Sequence, residues 1–116
     1  MSCSGKCTIT TEVATNPRIT SETPSPGCTP EQIEALRLQA FEKIIKDHSK
    51  ISDNCPREPN CRCKATGRPV EIRSGEIKVV PPQFRVGGPP PACELLIREA
   101  FVKVTITETP GICENG

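Results

Sequence analysis

Cys93-Glu-Leu-Leu-Ile-Arg-Glu-Ala-Phe-Val-Lys-Val-Thr-Ile-Thr-Glu-Thr109 is the most hydrophobic stretch of the chain. Within it, Val102, Val104 and Ile106 alternate with Lys103, Thr105 and Thr107. That period of two belongs to a strand with one face buried and the other wet. Leu95, Leu96 and Ile97 precede it with the alternation out of phase. A bulge near Arg98-Glu99 reconciles the two halves, and a short helix from Pro91 to Arg98 is the competing reading. We place the strand at 99–109, after which Pro110-Gly111 turns the chain towards Cys113.

Moving towards the N-terminus, residues 81–92 are proline-rich. Phe84-Arg85-Val86 is a candidate short strand, and Gly87-Gly88-Pro89-Pro90-Pro91 is a rigid spacer near polyproline II. Residues 69–80 read as a β-hairpin. A two-residue turn at Ser74-Gly75 would pair Arg73 with Glu76, Ile72 with Ile77, Glu71 with Lys78 and Val70 with Val79. Pro81 and Pro82 would end it. Residues 51–68 form a cysteine-rich loop. Thr29-Pro30-Glu31-Gln32 combines a capping threonine, a first-turn proline and the glutamine of a capping box. Ile33, Leu36, Ala40, Phe41, Ile44 and Ile45 follow at helical spacing, which predicts a helix over 30–48. Cys7, Ile9, Thr11 and Val13 share one face of a predicted strand over 7–13. Asn16 to Gly27, with Pro17, Pro24 and Pro26, reads as an extended arm or loop.

The expected fold is therefore α+β. One amphipathic helix packs on a small antiparallel sheet made of the hairpin and the N- and C-terminal strands. Residues 1–28 are an N-terminal arm with a short strand, and residues 29–116 are the small domain. Thr8-Ile9-Thr10-Thr11-Glu12 echoes Thr105-Ile106-Thr107-Glu108-Thr109, too briefly to count as a repeat.

Composition says what holds such a fold together. The chain of 116 residues has eight cysteines and thirteen prolines, three Phe, and neither Trp nor Tyr. Few bulky groups are left to bury, so sulfur chemistry must supply what packing does not. Cys3, Cys7, Cys28, Cys55, Cys61, Cys63, Cys93 and Cys113 are all disulfide candidates. Eight cysteines allow about a hundred pairings, so connectivity stays open. Cys28 precedes the helix cap, and a bond there would pin the helix start. Cys3, Cys7 and Cys113 lie near the chain ends, placed to tie the termini together or to bond a second chain. The alternative is a metal module, with zinc or an iron–sulfur cluster held by Cys55, Cys61, Cys63 and Cys7. The spacings C-x3-C and C-x5-C-x-C are not the paired C-x2-C knuckles usual for zinc, so the first reading has no cofactor.

Other functions are disfavoured by what the chain contains. Fifteen Lys+Arg against fourteen Asp+Glu give a net charge of +1, without the basic face that nucleic acid needs. No apolar run approaches the roughly 20 residues that cross a bilayer. His48 is the lone histidine and falls at a helix end, where a cation suits the dipole. No C-x-x-C, phosphate loop or nucleophile elbow occurs, so no enzyme and no catalytic residue is expected.

The polar start Met1-Ser2-Cys3-Ser4-Gly5-Lys6-Cys7 carries no signal peptide, yet cysteine density suits an oxidising compartment. Synthesis in the cytoplasm, assembly into a particle and later oxidation resolve the tension. In general character the chain resembles small accessory proteins of viral particles, such as bacteriophage capsid cement or tail and baseplate connectors. That resemblance rests on style and on no motif. It implies a structural role, other subunits of the same assembly as partners, and location in a virion or extracellular particle.

Overall fold

A computed structural model describes residues 3, 5–79, 84–89 and 92–115. The elements in chain order are β1 (Gly5–Pro24), α1 (Pro30–Asp47), β2 (Lys50–Asp53), β3 (Cys61–Ala65), β4 (Val70–Val79), β5 (Phe84–Gly87) and β6 (Glu94–Asn115). The result is a six-stranded antiparallel sheet with one helix. It is mostly sheet, so α+β describes it only loosely.

Everything is organised on β6. One edge of its 22 residues pairs with the 20-residue β1 from Gly5↔Cys113 to Pro24↔Leu95. Along the other edge β5, β4 and β3 follow one another, opposite residues 94–97, 100–108 and 111–115. β2 adds a short strand outside β1. A strand of this length would span roughly 70 Å if straight, and the molecule is correspondingly long, 62 × 28 × 23 Å.

The out-of-phase halves of β6 are joined as the sequence suggests. Leu95 and Ile97 are buried, then Ala100, Val102 and Ile106. The change of parity falls at Arg98, which has no partner in β1: Ser21 pairs with Glu99 and Glu22 with Ile97. Residues 94–98 are therefore strand, and the short-helix alternative is excluded for them. The strand also outruns the expected 99–109 at both ends, because β3 and β5 give its flanks partners.

The loop expected over 51–68 is partly strand, since β2 runs to Asp53 and β3 spans Cys61–Ala65, each given a long strand to pair with. Two further expectations are corrected. The hairpin over 69–80 does not form. Val70–Val79 is one continuous strand on β6, from Val70↔Glu108 to Val79↔Ala100, with a bulge between Glu71 and Arg73. Ser74-Gly75 does not turn. Ser74 pairs with Thr105, their hydroxyls 3.1 Å apart, and Gly75 pairs with Val104. A long, regular β6 offers a ladder over the whole segment, whereas a hairpin would pair only half as many residues with it. The expected chain breaks at Pro81, Pro82, Pro90 and Pro91 lie outside the described residues.

The second correction concerns Asn16 to Gly27. This segment is not a free arm: β1 continues through it to Pro24. Asn16 takes a positive φ of 52°, which Asn tolerates better than most residues. The register shift between Thr15 and Arg18 absorbs Pro17, which cannot donate to a ladder. The echo between 8–12 and 105–109 has a spatial meaning too, for these segments lie side by side, with Thr11 opposite Thr107.

The helix forms over Pro30–Asp47 as its signals demand. The Thr29 hydroxyl accepts from the Gln32 N–H at 3.2 Å, and the Gln32 side chain accepts from the Thr29 N–H at 2.9 Å. Leu36, Ala40 and Ile44 are buried against Ala14, Val79, Phe84, Val86, Leu95, Ile97, Ala100 and Val102. Arg37 ties the helix to Glu22 of β1. Gly87, at φ +105°, lies so close to the Cys93 carbonyl that a Cβ there has no room.

The opposite face of the sheet is polar and paired. Arg18 stacks on the Phe101 ring at 4.5 Å and donates to Glu76 at 2.6 and 3.1 Å. Glu99 accepts from the Thr20 hydroxyl at 2.6 Å and faces Lys78 at 3.6 Å. The hydrogen bond from Arg18 holds the Glu76 carboxyl below its ordinary range, and the hydrogen bond from Thr20 does the same for Glu99. Unfolded glutamates titrate near ~4.3. The contribution of these two is thus fully present above that pH and lost as pH falls through their depressed folded values. The expected outcome is a small, salt-sensitive loss of stability in acid. A urea titration at stepped pH should show a shallower acid slope for a Glu76→Gln/Glu99→Gln variant than for the parent.

Candidate functional site: a cysteine cluster at the end of the sheet

Beyond the helix, β1, β6 and β3 continue, and among the described residues only cysteines form the buried cluster there. Alternation along β1 and β6 places Cys7, Gly111 and Cys113 on the sheet face away from α1. Cys61 and Cys63 enter the same face from β3, opposite Asn115 and Cys113. Cys3 is anchored by its N–H, which donates to the Asn115 side chain at 2.9 Å. Cys55 arrives from the segment after β2, its N–H held by Asp53 at 3.1 Å. Cys3, Cys7 and Cys113 are each no more than 4% exposed, with Cys55 and Cys61 packed on them. This sulfur cluster is a second core, standing where side chains of Leu or Phe would otherwise be needed.

The cysteines pair as Cys3–Cys61, Cys7–Cys55, Cys63–Cys113 and, remote from the cluster, Cys28–Cys93. Their Cα atoms are 5.3, 5.0, 4.1 and 5.3 Å apart in that order. None of the eight is free within the chain, which leaves no cysteine for the interchain bond considered for Cys3, Cys7 or Cys113. The Cys28–Cys93 bond does pin the start of the helix, fastening it to the start of β6. Two hydrogen bonds between Ser25 and Glu94, at 2.8 and 2.9 Å, close the same corner.

Within the cluster the cystines nearly touch. Cys7 and Cys113 Sγ are 3.5 Å apart, and Cys61 and Cys63 Sγ are 3.8 Å apart. Cys7, Cys55, Cys63 and Cys113 have all four Sγ atoms within 4.8 Å of one another, while Cys3, Cys61 and Cys63 form a three-sulfur group. The ligand set read from the sequence, Cys7, Cys55, Cys61 and Cys63, is thus three-quarters assembled, with Cys113 in the place given to Cys61. Alternation distinguishes the two only once Cys113 is known to lie between Cys63 and Gly5 in the ladder, a fact of tertiary pairing.

Gly111 makes room for the cluster. A Cβ there would sit 3.1 Å from Cys7 Sγ and 3.0 Å from the Lys64 carbonyl oxygen. Gly111→Ala is expected to lower stability by about 1–3 kcal/mol through crowding against backbone and a cystine, measured as a fall in the denaturant midpoint.

A separate concavity lies on the helix face, lined by residues that include Glu12, Asp47, His48, Lys50, Arg73 and Ile77. Its histidine is engaged by the helix end: His48 Nδ1 lies 2.9 Å from the Ile44 carbonyl oxygen. Among the described residues, no helix is long and apolar enough to cross a membrane. No known protein family, curated protein or solved structure matches this chain.

Proposed function

We propose that the protein is a non-enzymatic structural subunit of a large assembly, in the manner of a bacteriophage tail or baseplate connector or a capsid cement protein. The observation that carries this reading is the free edge of β4. All of its ten residues but the bulged Ile72 pair with β6 on one side, and no described strand pairs with the other. Val70, Ile72 and Ile77 are 59%, 52% and 41% exposed along it. Proteins that stay monomeric shorten, charge or cover such edges. An uncovered edge of this length accepts another strand, with main-chain hydrogen bonds supplying affinity.

The edge is self-complementary, so a second copy of the chain is its natural occupant. With Gly75 on a two-fold axis, an antiparallel partner sets Ser74 against Glu76 and Arg73 against Ile77. Past the bulge at Ile72, Glu71 meets Lys78 and Val70 meets Val79. In the outer two pairs opposite charges and apolar groups coincide, and open space around Gly75 lets the two backbones approach. Intrachain cystines suit a subunit that must persist outside the cell. The capping role of His48 supports a structural reading over a catalytic one.

Sedimentation of the oxidised protein tests the reading. We expect a dimer, a monomer for Glu71→Lys, and a dimer again for Glu71→Lys/Lys78→Glu. A parent that stays monomeric at every accessible concentration, or a Glu71→Lys variant that still dimerises, contradicts it.

A further inference from the structure

We infer that Cys7, Cys55, Cys63 and Cys113 form a tetrathiolate zinc site when their two cystines are reduced, so that one end of the sheet has two alternative fasteners. The geometry carries this independently of the β4 edge. Four sulfurs from four separate segments lie within 4.8 Å of one another. In a tetrahedral ZnS4 centre with Zn–S near 2.3 Å, sulfurs stand about 3.8 Å apart. Cys7 and Cys113 Sγ, at 3.5 Å, already stand at nearly that separation although no bond joins them. Breaking Cys7–Cys55 and Cys63–Cys113 lets the bonded pairs relax to the same spacing by small side-chain rotations.

In the folded chain the main-chain ladder sets where these cysteines stand, and zinc binding to the reduced chain would restore that fold along with the site. Cys7 lies opposite Gly111, and Cys113 lies between Gly5 and Cys63 in the main-chain ladder. The cluster is largely buried, which shields bound metal from competing water. Cys3 and Cys61 stay outside the set: with Cys63 they make only a three-sulfur group. Cys28 and Cys93 are at the start of the helix and of β6.

The chemistry balances. A dithiol reductant, becoming a disulfide itself, transfers two electrons and two protons to each cystine, so two equivalents release four thiols. Zinc binding then expels the four thiol protons and leaves a centre of net charge −2, since the thiolate is the ligand. Oxidation reverses the sequence: each thiolate pair loses two electrons to the oxidant, the cystine forms, and the ion departs. The protein thus has a metal-held form for a reducing compartment and a cystine-held form for an oxidising one.

The test uses the full chain reduced anaerobically with a phosphine, which takes oxygen from water as each cystine becomes two thiols. Zinc or cobalt(II) is then added alone. We expect one ion per chain by native mass spectrometry, and intense visible bands of tetrahedral cobalt thiolate. Iodoacetamide footprinting of the zinc-loaded protein should protect Cys7, Cys55, Cys63 and Cys113 and alkylate the other four cysteines. Cys113→Ser should abolish one-to-one binding, whereas Cys3→Ser/Cys61→Ser and Cys28→Ser/Cys93→Ser should retain it. Alkylation of all eight cysteines with zinc present, protection of Cys61 in place of Cys113, or undiminished binding by Cys113→Ser would overturn the assignment. The footprint needs no variant, so a misfolded substitution does not remove the test.

Discussion

Stripped of its cystines with no metal present, the protein is expected to be unfolded at room temperature. The four bridges join residues 58, 48, 65 and 50 positions apart. In the chain-entropy view, a single crosslink closing a loop of that size stabilises by about 4 kcal/mol. Bridges that share a cluster do not add in full. Even half the sum is comparable with the about 5–15 kcal/mol that a typical domain has in total. The cluster also removes its own core on reduction, because no Leu, Ile or Phe covers that end of the sheet. Proton NMR before and after reduction in a chelator reads the outcome: dispersed amide resonances should collapse. A reduced, metal-free sample that keeps its dispersion would mean that the ladder on β6 suffices by itself.

Leu95→Ala is expected to destabilise by about 3 kcal/mol, within the range for fully buried leucines. Leu95 is 0% exposed and sits in the single apolar core beneath α1. It lies at the start of β6, opposite Val86 on one side and Pro24 on the other, so backbone pairs on both flanks hold its neighbours and limit collapse into the cavity. Leu38→Ala on the same chain, 55% exposed on the helix, should change stability by less than about 0.5 kcal/mol. Denaturant midpoints of the oxidised variants give the comparison. Equal effects would show that the helix does not pack as described.

The two expectations follow from the same division of labour. Apolar packing is confined to the part of a 62 Å molecule that holds α1, β5 and the first half of β6, and the sulfur cluster serves the other end. Much of this was readable in the chain. The capping box from Thr29 to Gln32 works through contacts within one turn, so the helix was visible. The bulge at Arg98 was visible because a parity change in a hydrophobic strand has few physical solutions. What failed depended on distant partners. The pairing pattern around Ser74-Gly75 suits a hairpin, and only the length of β6, a partner formed later in the chain, decides against the turn. Asn16 to Pro24 looked like an arm because its prolines discourage pairing, yet bulges accommodate Pro17. Cys113 was missed as a cluster partner because it is 50 residues from Cys63 in sequence and opposite it in the ladder.

Peptide mapping of the unreduced protein addresses the cystine framework at once. Trypsin can separate every cysteine of the cluster, cutting after Lys6, Arg57, Arg62, Lys64 and Lys103. The linked peptides should join Cys3 with Cys61, Cys7 with Cys55, Cys63 with Cys113 and Cys28 with Cys93. Free thiols at these positions, or a Cys28 bonded into the cluster, would contradict the fold and the sulfur core together.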